Sequence, residues 1–304
     1  MIDFVAIAFP GQGTQTPGMG SPWRGRPEWD AVIERAENAL GETLRELVLE
    51  ADDATLARTR NAQLAVLLTS LLAWEAIREH VSPVAFAGHS LGQVTALIAS
   101  GVMTFDDGVR FAAVRAERTQ ACADANPGVM AALLGVTIEQ AEAGCAAVPD
   151  TCWIANDNAP GQVVLAGTPD GVDAGTAAAK HAGARTARRL AVGGAFHTPL
   201  MGAAADALVS ELAEVALHEP AAPVISNDDG AVYSDGEGWR DRSARHVATR
   251  VNWRLVQPRF VELGASQVLE VGHGTMLAAL AKRTITGTPV IGIATPAHVD
   301  GLLG

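Results

Sequence analysis

The sequence predicts an α/β protein with a largely parallel sheet and a small second lobe inserted into it. Three observations predict this. Short apolar strand-like runs alternate with longer Ala/Leu-rich stretches of helical period, the pattern of strands joined by helices. Hydrophobic residues make up 48% of the 304 residues and charged residues 18%, enough apolar surface for a sizeable core. The 31 glycines and 15 prolines supply the turns that an alternating fold needs.

Val5 to Phe9 is apolar and reads as the first strand. Glu28 to Leu40 and Leu64 to Ile77 read as helices, Val84 to Ala87 as a second strand, and Val94 to Ala99 as part of the helix after it. From about Pro127 the composition changes. Met130 to Gly135, Val163 to Ala166 and Arg188 to Val192 are strand-like, with helical patterns at Ile138 to Ala147 and Val172 to Ala182 between them. This predicts a small β-α-β-α-β insert. A helix from Pro199 to Ala216, a strand at Pro223 to Ser226, a helix around Ser243 to Val251 and strands at Gln267 to Val271 and Val290 to Ile293 complete the chain. Ligands are expected in the cleft between the two lobes.

Composition excludes several classes of function. A net charge of -12 counts against nucleic acid as the main partner, because phosphate binding draws on a positive field. The apolar stretch Leu64 to Leu72 is broken by Thr69 and Ser70 and falls short of the roughly 20 residues that a bilayer span requires. The N-terminus lacks the basic segment of a signal peptide and leads straight into a motif, so a cytoplasmic location is expected. Cys122, Cys145 and Cys152 have neither CxxC nor Cys/His ligand spacing, which argues against a disulfide framework and a metal site.

Gly88-His89-Ser90-Leu91-Gly92 follows an apolar strand and precedes a helix. A serine on such a sharp turn needs neighbours without Cβ atoms, and the helix N-terminus behind it stabilises developing negative charge. A serine hydroxyl also needs a base. Of eight histidines, His89 adjoins Ser90 and is expected to pack or support the turn, while His80, His181, His218 and His246 read as surface residues. His197, in Ala195-Phe196-His197-Thr198-Pro199, stands where the insert rejoins the main body and is the candidate base.

Several motifs in order resemble the malonyl-CoA:acyl-carrier-protein transacylases and the related acyltransferase domains of polyketide synthases. Phe9-Pro10-Gly11-Gln12-Gly13-Thr14-Gln15 resembles the family's F-P-G-Q-G-[ST]-Q, and Gly88-His89-Ser90-Leu91-Gly92 its nucleophile motif. Asn61 to Ala65, Arg115 to Gln120, Asn156 to Val164 and Ala195-Phe196-His197 follow with similar spacing. Glu270-Val271-Gly272-His273-Gly274 corresponds to E-V-G-P-G, with His273 in place of proline, and Gln93 stands where glutamate is common.

The resemblance implies an α/β-hydrolase-like lobe over residues 1–127 and 191–304 with a ferredoxin-like lobe over 128–190. It implies Ser90 as nucleophile, His197 as base, and the backbone N–H groups of Gln12 and Leu91 as oxyanion hole. Arg115 would clamp the free carboxylate of a malonyl group, Gln63 would line the pocket, and the Asn252 carbonyl would orient His197. Phe196 before the histidine accompanies malonyl rather than methylmalonyl in the polyketide enzymes. The expected partners are malonyl-CoA and an acyl carrier protein, with no cofactor. Because the chain is acidic, an acidic carrier must meet a local basic patch, for which Arg185, Arg188 and Arg189 with Lys282 and Arg283 are the candidates. The competing readings are a thioester hydrolase, a transferase for another acyl unit, and a non-catalytic carrier-docking subunit.

Overall fold

A computed structural model describes residues 1–304. Its strands are β1 (Ile2–Phe9), β2 (Val81–Gly88), β3 (Val129–Leu134), β4 (Cys152–Ala159), β5 (Gln162–Gly167), β6 (Thr186–Arg189), β7 (Val224–Ile225), β8 (Val232–Tyr233), β9 (Gln267–Val271) and β10 (Val290–Ile293). The helices that position the site are α1 (Thr59–Ile77), α2 (Leu91–Ala99), α3 (Phe105–Ala125), α4 (Ile138–Ala146), α5 (Pro169–His181), α6 (Gly202–Leu212), α7 (Trp239–Arg245), α8 (Trp253–Glu262) and α9 (Met276–Thr284).

Six strands form one sheet in the order β10-β9-β1-β2-β7-β8, parallel except for the short edge strand β8. Its two faces are built differently. On β1, Val5, Ile7 and Phe9 point into the larger apolar core, while Ala6 and Ala8 join Ala85 and Ala87 of β2 on the other face. Those small side chains leave room for Trp253, Val256 and Phe260 of α8 and for Leu277 and Leu280 of α9. Helix α1 is apolar around most of its circumference because it is buried in the larger core, where Leu64, Leu67, Leu68 and Leu71 are almost fully enclosed.

The second sheet is antiparallel, in the order β4-β5-β3-β6, and is built entirely from residues 129–189. Here the sequence expectation needs correction. The segment has four strands in the order βαββαβ, because Cys152–Ala159 is a strand that pattern reading passed over. Its last strand is Thr186–Arg189, ending before the predicted Val192. Helices α4 and α5 cover one face around Leu133, Leu165 and Val172, and the other face carries Met130, Val164 and Ala166 against Ala195. No helix is long and apolar enough to cross a membrane.

Candidate active site

The site stands at the C-terminal ends of β1 and β2, the usual position for ligands on a parallel sheet. Ser90 follows β2 directly and begins the turn into α2 with φ 54° and ψ −109°. That backbone region costs a non-glycine residue on the order of 1–3 kcal/mol and persists only where the surroundings enforce it. Close packing enforces it here. A Cβ on Gly88 would lie 1.9 Å from the Gly92 carbonyl oxygen, and one on Gly92 would lie 2.2 Å from that of Phe9. The two glycines are therefore required by close contact rather than by their backbone angles, neither having a positive φ.

Ser90 Oγ lies 2.7 Å from His197 Nε2. His197 Nδ1 lies 3.0 Å from each of the carbonyl oxygens of His246 and Thr249, which only accept, so Nδ1 carries the proton and Nε2 faces Ser90 with a lone pair. Burial, the Arg115 charge and His89 lower the His197 pKa from 6.5 to about 3, so the imidazole is neutral at pH 7.

Two expectations are overturned at this point. The carbonyl that orients His197 is not that of Asn252, which instead accepts from Leu255 N–H in the first turn of α8. His246 is not a surface residue but is 5% exposed, with its ring centroid 5.2 Å from that of His197. The cause is the end of α7. The 3-10 turn His246–Ala248 continues α7, and the chain there sets two carbonyls against His197 Nδ1: that of His246, which also accepts the Thr249 N–H at 3.4 Å, and that of Thr249, extended just beyond the turn. The sequence pattern predicted a helix around Ser243 to Val251, whereas α7 ends at Arg245 and its 3-10 continuation at Ala248, so these carbonyls carried no signal in the sequence.

Arg115 on α3 is 3% exposed. One terminal nitrogen donates to Gln63 Oε1 and the other lies 3.4 Å from Ser90 Oγ. Burial alone lowers its pKa, to about 10, with no acidic neighbour opposing the shift, so it is a cation at pH 7 without a protein counter-ion. Gln63 Nε2 donates to Thr119 Oγ1 at 3.1 Å, which fixes the face its carbonyl presents to Arg115. The backbone N–H groups of Gln12 and Leu91 have no protein acceptor. Gln12 lies in the turn after β1, and Leu91 opens α2, where the helix dipole adds positive potential.

A cavity of about 130 Å³ joins these groups. Its lining combines the polar Gln12, Gln63, Ser90, Arg115 and His197 with the apolar Met130, Val164, Leu190, Val192 and Phe196. His89 supports the turn by a 2.8 Å hydrogen bond from Nε2 to Asn158 Oδ1 on β4. Among the basic residues, Arg188 pairs with Ala132 and shares the sheet face of Val164, toward the cavity. Arg189 lies on the opposite face, tied to Asp173 of α5 at 2.7 Å. Arg185 packs beside Gly135, whose N–H donates to Gly161, and Arg283 reaches the neighbouring Gln162 at 3.4 Å. Lys282 is exposed on α9. Reasoning from sequence did not single out Asn227, whose side chain accepts the Ser90 N–H at 2.9 Å.

Residues 6–286 match the family model described as the acyl transferase domain. The chain belongs to this acyltransferase family. The acyltransferase is 34% identical to the malonyl CoA-acyl carrier protein transacylase of Escherichia coli O157:H7 over 285 residues, covering 92% of each. It superposes with a TM-score of 0.93 on the acyl-carrier-protein S-malonyltransferase of Burkholderia pseudomallei 1710b, at 33% identity, covering 100% of this chain and 99% of that one. A TM-score of 0.94 relates it to a malonyl-transacylase solved in complex with its type II polyketide synthase acyl-carrier protein, at 31% identity, with 100% and 99% coverage.

Proposed function

We propose that this acyltransferase moves a malonyl group from CoA to the phosphopantetheine thiol of an acyl carrier protein through an ester on Ser90. The observation that carries the reading is the 2.7 Å contact between Ser90 Oγ and His197 Nε2 directly beside a buried guanidinium that has no protein acid. His197 Nε2 takes the Ser90 proton as Oγ attacks the thioester carbonyl. The N–H groups of Gln12 and Leu91 receive the oxyanion. The C–S bond then breaks, and the CoA sulfur leaves with the proton from His197. The carrier thiol gives its proton to His197, attacks the ester, and Ser90 departs and regains the proton. Arg115 holds the malonyl carboxylate through both halves in a bidentate pair, with Gln63 keeping its planar fork in place. No step needs a metal or redox cofactor.

The βαββαβ order of residues 129–189 supports reading 128–190 as a ferredoxin-like lobe. The strand-turn-helix around Ser90 supports reading 1–127 and 191–304 as an α/β-hydrolase-like one. Arg185 and Arg188, with Lys282 and Arg283 across the end of the small sheet, suit an acidic carrier. The three unpaired thiols fit a reducing, cytoplasmic setting.

Incubation with malonyl-CoA followed by intact-mass measurement tests the reading. The native enzyme gains one malonyl unit, Ser90→Ala gains none, and His197→Ala gains it about 10² to 10⁴ times more slowly. Turnover without carrier and without adduct would make the protein a hydrolase instead, and loading retained in both variants would remove the dyad.

A further inference from the structure

Strand β2 runs to Gly88, but its neighbour β7 ends at Ile225, so the ladder beside the Ser90 turn stops short. The Asn227 side chain continues it. Its Nδ2 donates to the Gly88 carbonyl at 2.6 Å and its Oδ1 accepts the Ser90 N–H at 2.9 Å, so the two bonds bracket His89 and fix the peptide that leads into the strained Ser90. The amide cannot be reversed, because Gln93 Oε1 accepts from both Asn227 Nδ2, at 2.8 Å, and Asn227 N–H, at 3.1 Å. Gln93 and Asn227 are 2% and 1% exposed, and Gln93 Nε2 has no partner, so the position uses only an acceptor oxygen. The Asn227 carbonyl accepts from Asn252 N–H at 2.6 Å, and Val251 beside it is paired with β4. One residue thus ties the Ser90 turn to the segment whose upstream carbonyls hold His197.

We propose that Asn227, oriented by Gln93, is a positioning residue for the nucleophile. It holds Ser90 at φ 54°, so that Oγ meets Nε2, and it occupies the Ser90 N–H so that the adjacent Leu91 N–H is the donor presented to the oxyanion. The inference rests on Ser90 being the acylated residue. The test is single-turnover acylation by malonyl-CoA, with the adduct located by peptide mass and the rate normalised to folded protein. Asn227→Ala and Gln93→Leu are each expected to slow acylation about 10- to 100-fold while the half-saturating malonyl-CoA concentration stays within about twofold. Gln93→Glu, which keeps the acceptor oxygen, restores most of the rate lost in Gln93→Leu. The double variant is no slower than the worse single one, because both changes undo the same constraint. A native-like rate per folded molecule in Gln93→Leu or Asn227→Ala overturns the inference, as does a loss shared equally by rate and half-saturation, while an adduct anywhere but Ser90 overturns the nucleophile assignment instead. If Asn227→Ala does not fold, Gln93→Leu with its Glu rescue decides alone.

Discussion

Arg115 is the residue at which burial and chemistry conflict most openly, since its guanidinium is enclosed with no acid beside it. On the proposed mechanism a malonyl carboxylate resolves that conflict and an acetyl group does not. Arg115→Ala is therefore expected to shift preference from malonyl toward acetyl thioesters, the lost pairing being worth roughly 2–5 kcal/mol. Relative kcat/KM for the two thioesters measures it, and an unchanged ratio would reduce Arg115 to a structural cation. Phe196, half-buried in the cavity wall, leaves little room for a branch on the acyl α-carbon. Phe196→Ser should narrow the preference for malonyl over methylmalonyl, by no more than about 1–3 kcal/mol for one methyl. Equal kcat/KM for both substrates in the native enzyme would refute that role. Ser90, His197 and Arg115 were legible because each stands in a motif. The acceptors of His197 were not, because a carbonyl belongs to no residue type, and Asn252 was chosen for its place in the sequence where the end of α7 decides.

Elements were legible where periodicity was strong and illegible where chemistry overrode it. Strand β4 contains Asn156-Asp157-Asn158, residue types depleted in strands. It forms because β5 pairs with it along its length and because its polar groups find partners: Asn158 meets His89, and Asp157 meets Arg254 at 2.8 Å. The same sheet separates two arginines that sequence had grouped. Arg188 lies on the cavity-side face and Arg189 is paired with Asp173 behind it. Arg188→Glu should raise KM for the carrier and weaken its salt dependence with self-acylation unchanged, while Arg189→Glu should do neither. Equal effects of the two reversals would place docking elsewhere.

At the scale of the whole molecule, three buried histidines, His89, His197 and His246, make acid a threat to the fold. Burial is the largest cause of lowered pKa in each. Each binds a proton more readily unfolded, near 6.5, than folded, so below that pH the unfolded chain holds more protons. Their contribution to stability is complete above pH 6.5 and declines as pH falls toward the folded values, about 3 for His197. The slope reaches about 1.4 kcal/mol per pH unit for each histidine. Urea unfolding at pH 7.5 and 5.5 should show a clear loss at the lower pH, larger than in a variant with His246 replaced by glutamine. Equal midpoints at both pH values would mean that these rings are solvated.

The sheet order has a consequence for how the chain reaches its native state. β1 sits at the centre, yet its partners are β2, beginning at Val81, and β9, beginning at Gln267. One flank closes early in synthesis and the other waits for most of the chain. Until then β1 presents an open apolar edge, the geometry that recruits foreign strands. Pairings so distant in sequence also make folding slow. A ribosome-bound fragment ending before β9 would hold the complete Ser90 turn and His197 beside a half-built sheet, so the last steps of folding complete the scaffold around chemistry already encoded.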